Sequence, residues 1–174
     1  MRQLDIYIDG AAKGNPGPAG IGVVILLDGR VLKNISRFIG NKTNNVAEYT
    51  ALIYGLQEAL ILLADKKIAF PPLAESAVGV IGDNSKRFSV VGKVPYTFPD
   101  HKIRVWTDSE LISKQLKGEY RVRHENLKPF FEQIKHLTGG FGSFEIHHIS
   151  RERNRGADKL ANQAVKESKI RRQA

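Results

Sequence analysis

Cysteine is absent from this chain. That excludes disulfide frameworks, thiolate metal sites and cysteine nucleophiles together, so any metal would be held by oxygen or imidazole ligands. Long hydrophobic runs are also missing: no stretch approaches the roughly 18 apolar residues that span a bilayer. Met1-Arg-Gln-Leu-Asp5 leads straight into a strand pattern without the features of a signal peptide. A soluble, cytoplasmic protein with no membrane association is the expectation. Acidic residues are in deficit, 18 against 27 Lys and Arg, leaving a formal charge of +9. Such a chain is attracted to polyanions, nucleic acid first and anionic membrane surfaces second. At 174 residues it has the length of one domain, drawn at 1–168 with a basic, frayed tail at 169–174.

Leu4, Ile6 and Ile8 alternate with Asp5, Tyr7 and Asp9, a period of two that predicts a β-strand ending at Asp9. Ligands bind at the carboxyl edge of open α/β sheets, which favours a functional Asp9; Asp-Gly is equally a common turn pair. The bend Gly10 to Gly20 carries glycines at 10, 14, 17 and 20 and prolines at 16 and 18. It lacks the Lys-Ser/Thr ending and following helix of a phosphate loop, because Ile21–Leu27 reads as a second strand. Asp28-Gly29 signals a hairpin into a third strand, 30–39. A long helix follows the polar start Thr43-Asn44-Asn45. Glu48 heads its stripe of Leu52, Gly55, Ala59 and Leu62, and a capping box with Asn45 as N-cap would account for Glu48 without chemistry.

Residues 65–102 form a proline-broken insert in which 77–81 and 87–91 suggest an extra hairpin, either a solvated decoration or a substrate arm carrying Lys86 and Arg87. Strand 103–107 then ends in Asp108, followed by Ser109 and a helix over 110–116; Asp108 is a second strand-end carboxylate or an N-cap. Lys117 to Lys128 is a basic connector, a phosphate contact or a solvated surface. A helix over 127–137, a strand over 144–149 and a helix over 154–165 complete the order. Asp158 shares a face with Ala161 and Val165, and its alternative role is to complement the helix dipole. His147 and His148 lack the spacing of a zinc pair on a helix, and a strand splays neighbours apart.

This order predicts an α/β fold, a five-stranded mixed sheet whose first three strands form an antiparallel meander, flanked by helices. With the first, fourth and fifth strands adjacent and parallel, Asp9 and Asp108 end side by side, and Glu48 and Asp158 reach them from helix starts. The blocks Asp9-Gly-x-x-x-Gly-Asn-Pro-Gly-Pro, Thr43-Asn-Asn-x-x-Glu48, Thr107-Asp108-Ser109 and Asn154-x-x-x-Asp158-x-Leu-Ala resemble the four motif blocks of type 1 ribonuclease H. The resemblance implies cleavage of the RNA strand of RNA–DNA hybrids, leaving 5′-phosphates, with Asp9, Glu48, Asp108 and Asp158 as ligands of divalent metal. It assigns Gly10, Asn15, Asn44, Asn45 and Ser109 to the substrate, and Lys42 and Thr43 to DNA phosphate.

Four packed carboxylates raise one another's pKa unless cations neutralise them, and all-oxygen ligation suits Mg²⁺ or Mn²⁺. A pair of such ions about 3.5–4 Å apart would serve an in-line attack. Two departures from the family stand out. The histidine that many relatives carry before the fourth carboxylate is absent from Ser150–Asn154; Arg151 is the candidate substitute and His148 the second. Residues 118–125 are too short for a basic protrusion, which leaves hybrid affinity to the insert or tail. A monomer with no obligate protein partner is expected, and the rival readings are a recombinase-type nuclease and a noncatalytic nucleic-acid-binding module.

Overall fold

The computed structural model describes residues 2–67 and 97–173. Strands β1 (Arg2–Ala12), β2 (Gly17–Leu27) and β3 (Arg30–Lys42) form the antiparallel meander, and helix α1 (Asn44–Lys67) follows. Then come β4 (Phe98–Thr107), α2 (Glu110–Leu116), a 3₁₀ turn at Glu125–Leu127, α3 (Lys128–Thr138) and β5 (Phe141–His148). A second 3₁₀ turn, Arg151–Arg153, leads into α4 (Arg155–Gln173). The sheet order is β3-β2-β1-β4-β5, with β1 antiparallel to β2 and parallel to β4, and β4 parallel to β5.

The alternation read from the sequence sorts side chains to the two faces of this sheet. Leu4, Ile6 and Ile8 stand opposite Leu27, Ile25 and Val23, and they bury with Ile103 and Val105 beneath α1. The helix presents Ala47, Ala51, Leu52, Leu56, Ala59 and Leu63, all buried. The expected stripe ended on Leu62; that residue is half-buried and the helix turns Leu63 inward instead. Asn44–Ala64 has the length and apolarity of a membrane-crossing helix, contrary to the expectation of no such run, but its apolar sides are taken up by the sheet and α3.

Helix α4 covers the other face over β2, where glycines permit close approach. A Cβ on Gly22 would lie 2.0 Å from the Ala157 carbonyl oxygen and 2.6 Å from the Ala161 nitrogen. Gly20 sits under the helix in the same way, a Cβ there lying 2.6 Å from the Ala161 carbonyl oxygen, so β2 begins at Gly17 rather than Ile21 and the bend itself is only Lys13–Pro16. The Asn15–Pro16 peptide is cis. Other elements also outrun their predicted bounds. β3 reaches Lys42, β4 starts at Phe98 inside the stretch assigned to the insert, and β5 starts at Phe141, with Gly142 packed on Pro99. α4 continues to Gln173, past the expected end at Val165, because Ala164, Val165 and Ser168 keep its buried side going. The hairpin expected within 77–91 lies outside the described residues.

Candidate active site

The parallel ladder between β1 and β4 stops at Ile8 opposite Thr107, while β1 stays paired to β2 as far as Ala12. Asp9 is therefore at a strand end on one side only, one residue past the ladder, and Asp108 is its counterpart on β4. Both follow residues committed to the α1 core, so both project toward the face that carries α4. The first turn of α4 supplies Asp158.

Glu48 arrives from α1 by a close approach of backbone to backbone. A Cβ on Gly10 would sit 2.3 Å from the Glu48 nitrogen and 2.4 Å from the Ala47 carbonyl carbon. Gly10, expected to touch substrate, is buried beneath the start of α1 and sets the height of Glu48. The capping-box alternative does not hold: Thr43 is the N-cap, its Oγ1 accepting from Val46 N–H at 3.3 Å and its carbonyl from Ala47 N–H at 3.0 Å. The helix starts there because Asn44 is anchored elsewhere. Its Oδ1 accepts from Ala12 N–H at 3.2 Å, its Nδ2 donates to Glu48 Oε1 at 2.9 Å, and its own N–H donates to Asn15 Oδ1 at 3.2 Å.

Asp108 does not cap α2; Ser109 does, accepting from Ile112 N–H. The Ser109 hydroxyl donates in turn to Glu48 Oε2. Asp108 Oδ1 accepts from Asn154 Nδ2 at 2.7 Å, and the same Nδ2 reaches the Ile8 carbonyl at 2.9 Å. Asn154 is 1% exposed. It locks the end of β1, the end of β4 and the start of α4 to one another, and its Oδ1 is buried without a partner. Sequence reasoning missed this role. Asn154 lay in the quoted block as the first residue of the predicted helix 154–165, with no role of its own.

Arg151 donates from its Nη2 to Asp158 Oδ1 at 2.6 Å and is itself exposed. Its charge also acts on Asp9, which burial, followed by repulsion from Asp108, Asp158 and Glu48, raises to about 7. Glu48 is raised to about 7 as well, chiefly by burial and then by Asp108, with the bonds from Ser109 and Asn44 opposing the shift. The four carboxylates and Arg151 thus form one electrostatic unit. Asn15, Asn44, Thr43 and Ser109 lie around it as hydrogen-bonded neighbours. Asn45 is half-buried in the first turn of α1, and Lys42 closes β3 opposite Gly17. Of the two histidines, His147 stacks on Trp106 with ring centroids 4.6 Å apart, and His148 is exposed at the end of β5.

The donor set fits a hard divalent cation, being oxygen throughout, with buried Asp9 and half-buried Glu48 both raised to about 7. Among the described residues no three acidic or histidine side chains converge as a ready metal cage. The bonds above explain the spacing: Glu48 leans on Ser109 and Asn44, Asp108 on Asn154, and Asp158 on Arg151.

Sheet order, helix placement and acidic edge define the ribonuclease H-like class of α/β fold. The family model described as RNase H matches residues 1–70, and the one described as Reverse transcriptase-like matches residues 100–164. Ribonuclease HI of Halobacterium salinarum is 32% identical over 94% of this chain and 64% of its own length. The N-terminal RNase H domain of Rv2228c from Mycobacterium tuberculosis is 31% identical with TM-score 0.70, over 94% of this chain and 98% of the solved one. The bifunctional Rv2228c protein as a whole is covered to 35%. LC11-RNase H1, in complex with an RNA/DNA hybrid, is 36% identical with TM-score 0.71, over 95% and 98% of the two chains. This chain spans less than two thirds of the length of the curated relatives named here. It belongs to the type 1 ribonuclease H family.

Proposed function

We propose that the chain is a metal-dependent endonuclease that hydrolyses the RNA strand of RNA–DNA hybrids, leaving 5′-phosphate and 3′-hydroxyl ends. The observation that carries this reading is that Asp9, at the sheet edge, lies within electrostatic reach of Glu48, Asp108 and Asp158, with Asp9 and Glu48 each raised to about 7. The hybrid bound by LC11-RNase H1 supports the choice of substrate. Those four carboxylates would hold Mg²⁺ or Mn²⁺, as a pair of ions in the substrate complex. When bound, the metal activates water and stabilises charge at the scissile phosphate.

The chain's own groups do the rest. Asp9 and Glu48 give up their protons to become ligands, Ser109 and Asn44 aim Glu48, and Asn154 fixes Asp108. Arg151, beside Asp158, offers a guanidinium to the phosphate, a planar fork that takes the place of the loop histidine. Asn44 retains one amide hydrogen, and it faces the substrate with Asn15 and Asn45, where amides can bond the 2′-hydroxyl that distinguishes RNA from DNA.

The test is incubation of labelled hybrid, duplex DNA and duplex RNA with Mg²⁺, Mn²⁺ or chelator. Metal-dependent cutting confined to the RNA strand of the hybrid is expected. Intact hybrid in both metals overturns the enzyme reading, and equal cutting of duplex DNA transfers it to the recombinase type.

A further inference from the structure

Between α2 and α3 the chain does not wander. Helix α2 ends in a Schellman motif: Gly118, at φ +79°, donates to the Gln115 carbonyl at 3.1 Å and Glu119 donates to the Lys114 carbonyl at 2.9 Å. Tyr120 N–H reaches the same Lys114 carbonyl at 3.1 Å, and the Lys114 ammonium lies 4.8 Å from the centre of the Tyr120 ring. Farther on, Leu127 is buried and Val122 packs on the core. His124 is extended, at φ −74° and ψ 119°, and Val122 is half-buried between two exposed neighbours. Those neighbours are Arg121 and Arg123, both exposed, and among the described residues neither has an ion-pair or hydrogen-bond partner. From Lys117 to His124 there are three Lys and Arg residues against one carboxylate, Glu119.

Most other cations at this end of the molecule are engaged: Lys114 with Glu110, Lys128 with Glu125, Arg151 with Asp158. The connector starts where α2 stops, and α2 begins at Ser109 in the acidic site. Seven residues of helix span about 10 Å, the axial length of about three base pairs.

Resting on the nuclease reading, we propose that Arg121 and Arg123 are a fixed phosphate clamp for the hybrid backbone, a few nucleotides from the bond that is cut. Because Val122 and the Schellman stop already hold the strap in shape, binding orders little backbone, and the two exposed guanidiniums flanking Val122 meet successive phosphates. This places hybrid affinity on the connector rather than on the insert or tail.

The test uses fluorescence anisotropy of a labelled hybrid with the full chain in chelator, from about 50 to 200 mM salt. Arg121→Ala/Arg123→Ala is compared with Arg30→Ala/Lys33→Ala. The latter removes the same charge on β3, where Arg30 lies about five residues, roughly 17 Å, and Lys33, already paired with Glu58, about three residues, roughly 10 Å, along the sheet from the level of Asp9. The clamp variant should lower the slope of log affinity against log salt by about two, with unchanged thermal unfolding, and the control variant should not. An unchanged slope, or an equal fall in both variants, overturns the clamp. Binding in chelator is read without cleavage, so failure of the nuclease reading shows separately, as uncut hybrid in Mg²⁺ and Mn²⁺.

Discussion

Replacing Asp9 by Asn should stabilise the metal-free protein, and only above mildly acidic pH. Asp9 is 8% exposed and faces three other carboxylates, so its ionised form is opposed by desolvation and by repulsion alike. A carboxyl held at about 7 against the ordinary 3.8, at about 1.4 kcal/mol per pH unit, bounds that opposition at about 4 kcal/mol. Neighbouring carboxylates share the repulsion, and half the bound, ~2 kcal/mol, corresponds to about 4–8 °C in Tm for a domain of this size. Between pH 4 and 7 the native state keeps a proton that the unfolded chain has lost. Stability of the parent therefore falls as pH rises through that window, and the variant escapes Asp9's share. Thermal unfolding in chelator should show Asp9→Asn well above the parent at pH 8.5 and close to it at pH 4. Added Mg²⁺ should narrow the gap by stabilising the parent alone. Equal melting at pH 8.5, or the same gap at both pH values, would refute the electrostatic account of the site.

Arg151→Ala should slow turnover about tenfold or more at saturating hybrid. The ion pair it loses is exposed, so the denaturation midpoint should move by less than about 1 kcal/mol; unaltered turnover reassigns Arg151 to the surface. Gly10→Ala forces a methyl into the backbone of Ala47 and Glu48 and should destabilise by about 1–3 kcal/mol or more in urea, with weaker metal binding by calorimetry. An unmoved midpoint would mean that α1 slides freely. Asn154→Ala strips the donor from the Ile8 carbonyl and from Asp108 and should lose about 1–3 kcal/mol of stability together with activity. Retained activity in that variant would free Asp108 from its dependence on Asn154. Metal uptake at pH 6.5 should release protons, because Asp9 and Glu48 must ionise to serve as ligands. Calorimetry in buffers of different ionisation enthalpy reads this directly, and a heat independent of buffer would contradict it.

The parts of this molecule legible in its sequence are those written in local periodicity. Leu4, Ile6 and Ile8 declare a strand without reference to any partner, and Ile103 to Asp108 repeats the pattern. What stayed hidden depends on contacts between distant segments. Three consecutive residues, Thr43, Asn44 and Asn45, are each competent N-caps, and the choice of Thr43 is made by Asn44 bonding Ala12, 32 residues away. Gly20 read as part of a bend because glycine weakens a strand taken alone; its reason is α4, which the chain reaches only at Arg155. Asn154 is the extreme case, since its amide spans 146 residues to Ile8.

Those hidden contacts also show why the acidic edge survives without collapsing its own fold. β1 is held on both sides through Ile8, so Asp9 cannot retreat from Asp108 by moving backbone. The strain is met instead by protonation at Asp9 and Glu48 and by donors from other elements, Asn154 on Asp108 and Arg151 on Asp158. Of these, Arg151 alone is solvent-exposed. On the proposed function it is the counter-charge that an arriving phosphate would draw away from Asp158, while Asn154, buried and bonded to two strand ends, would stay where it is.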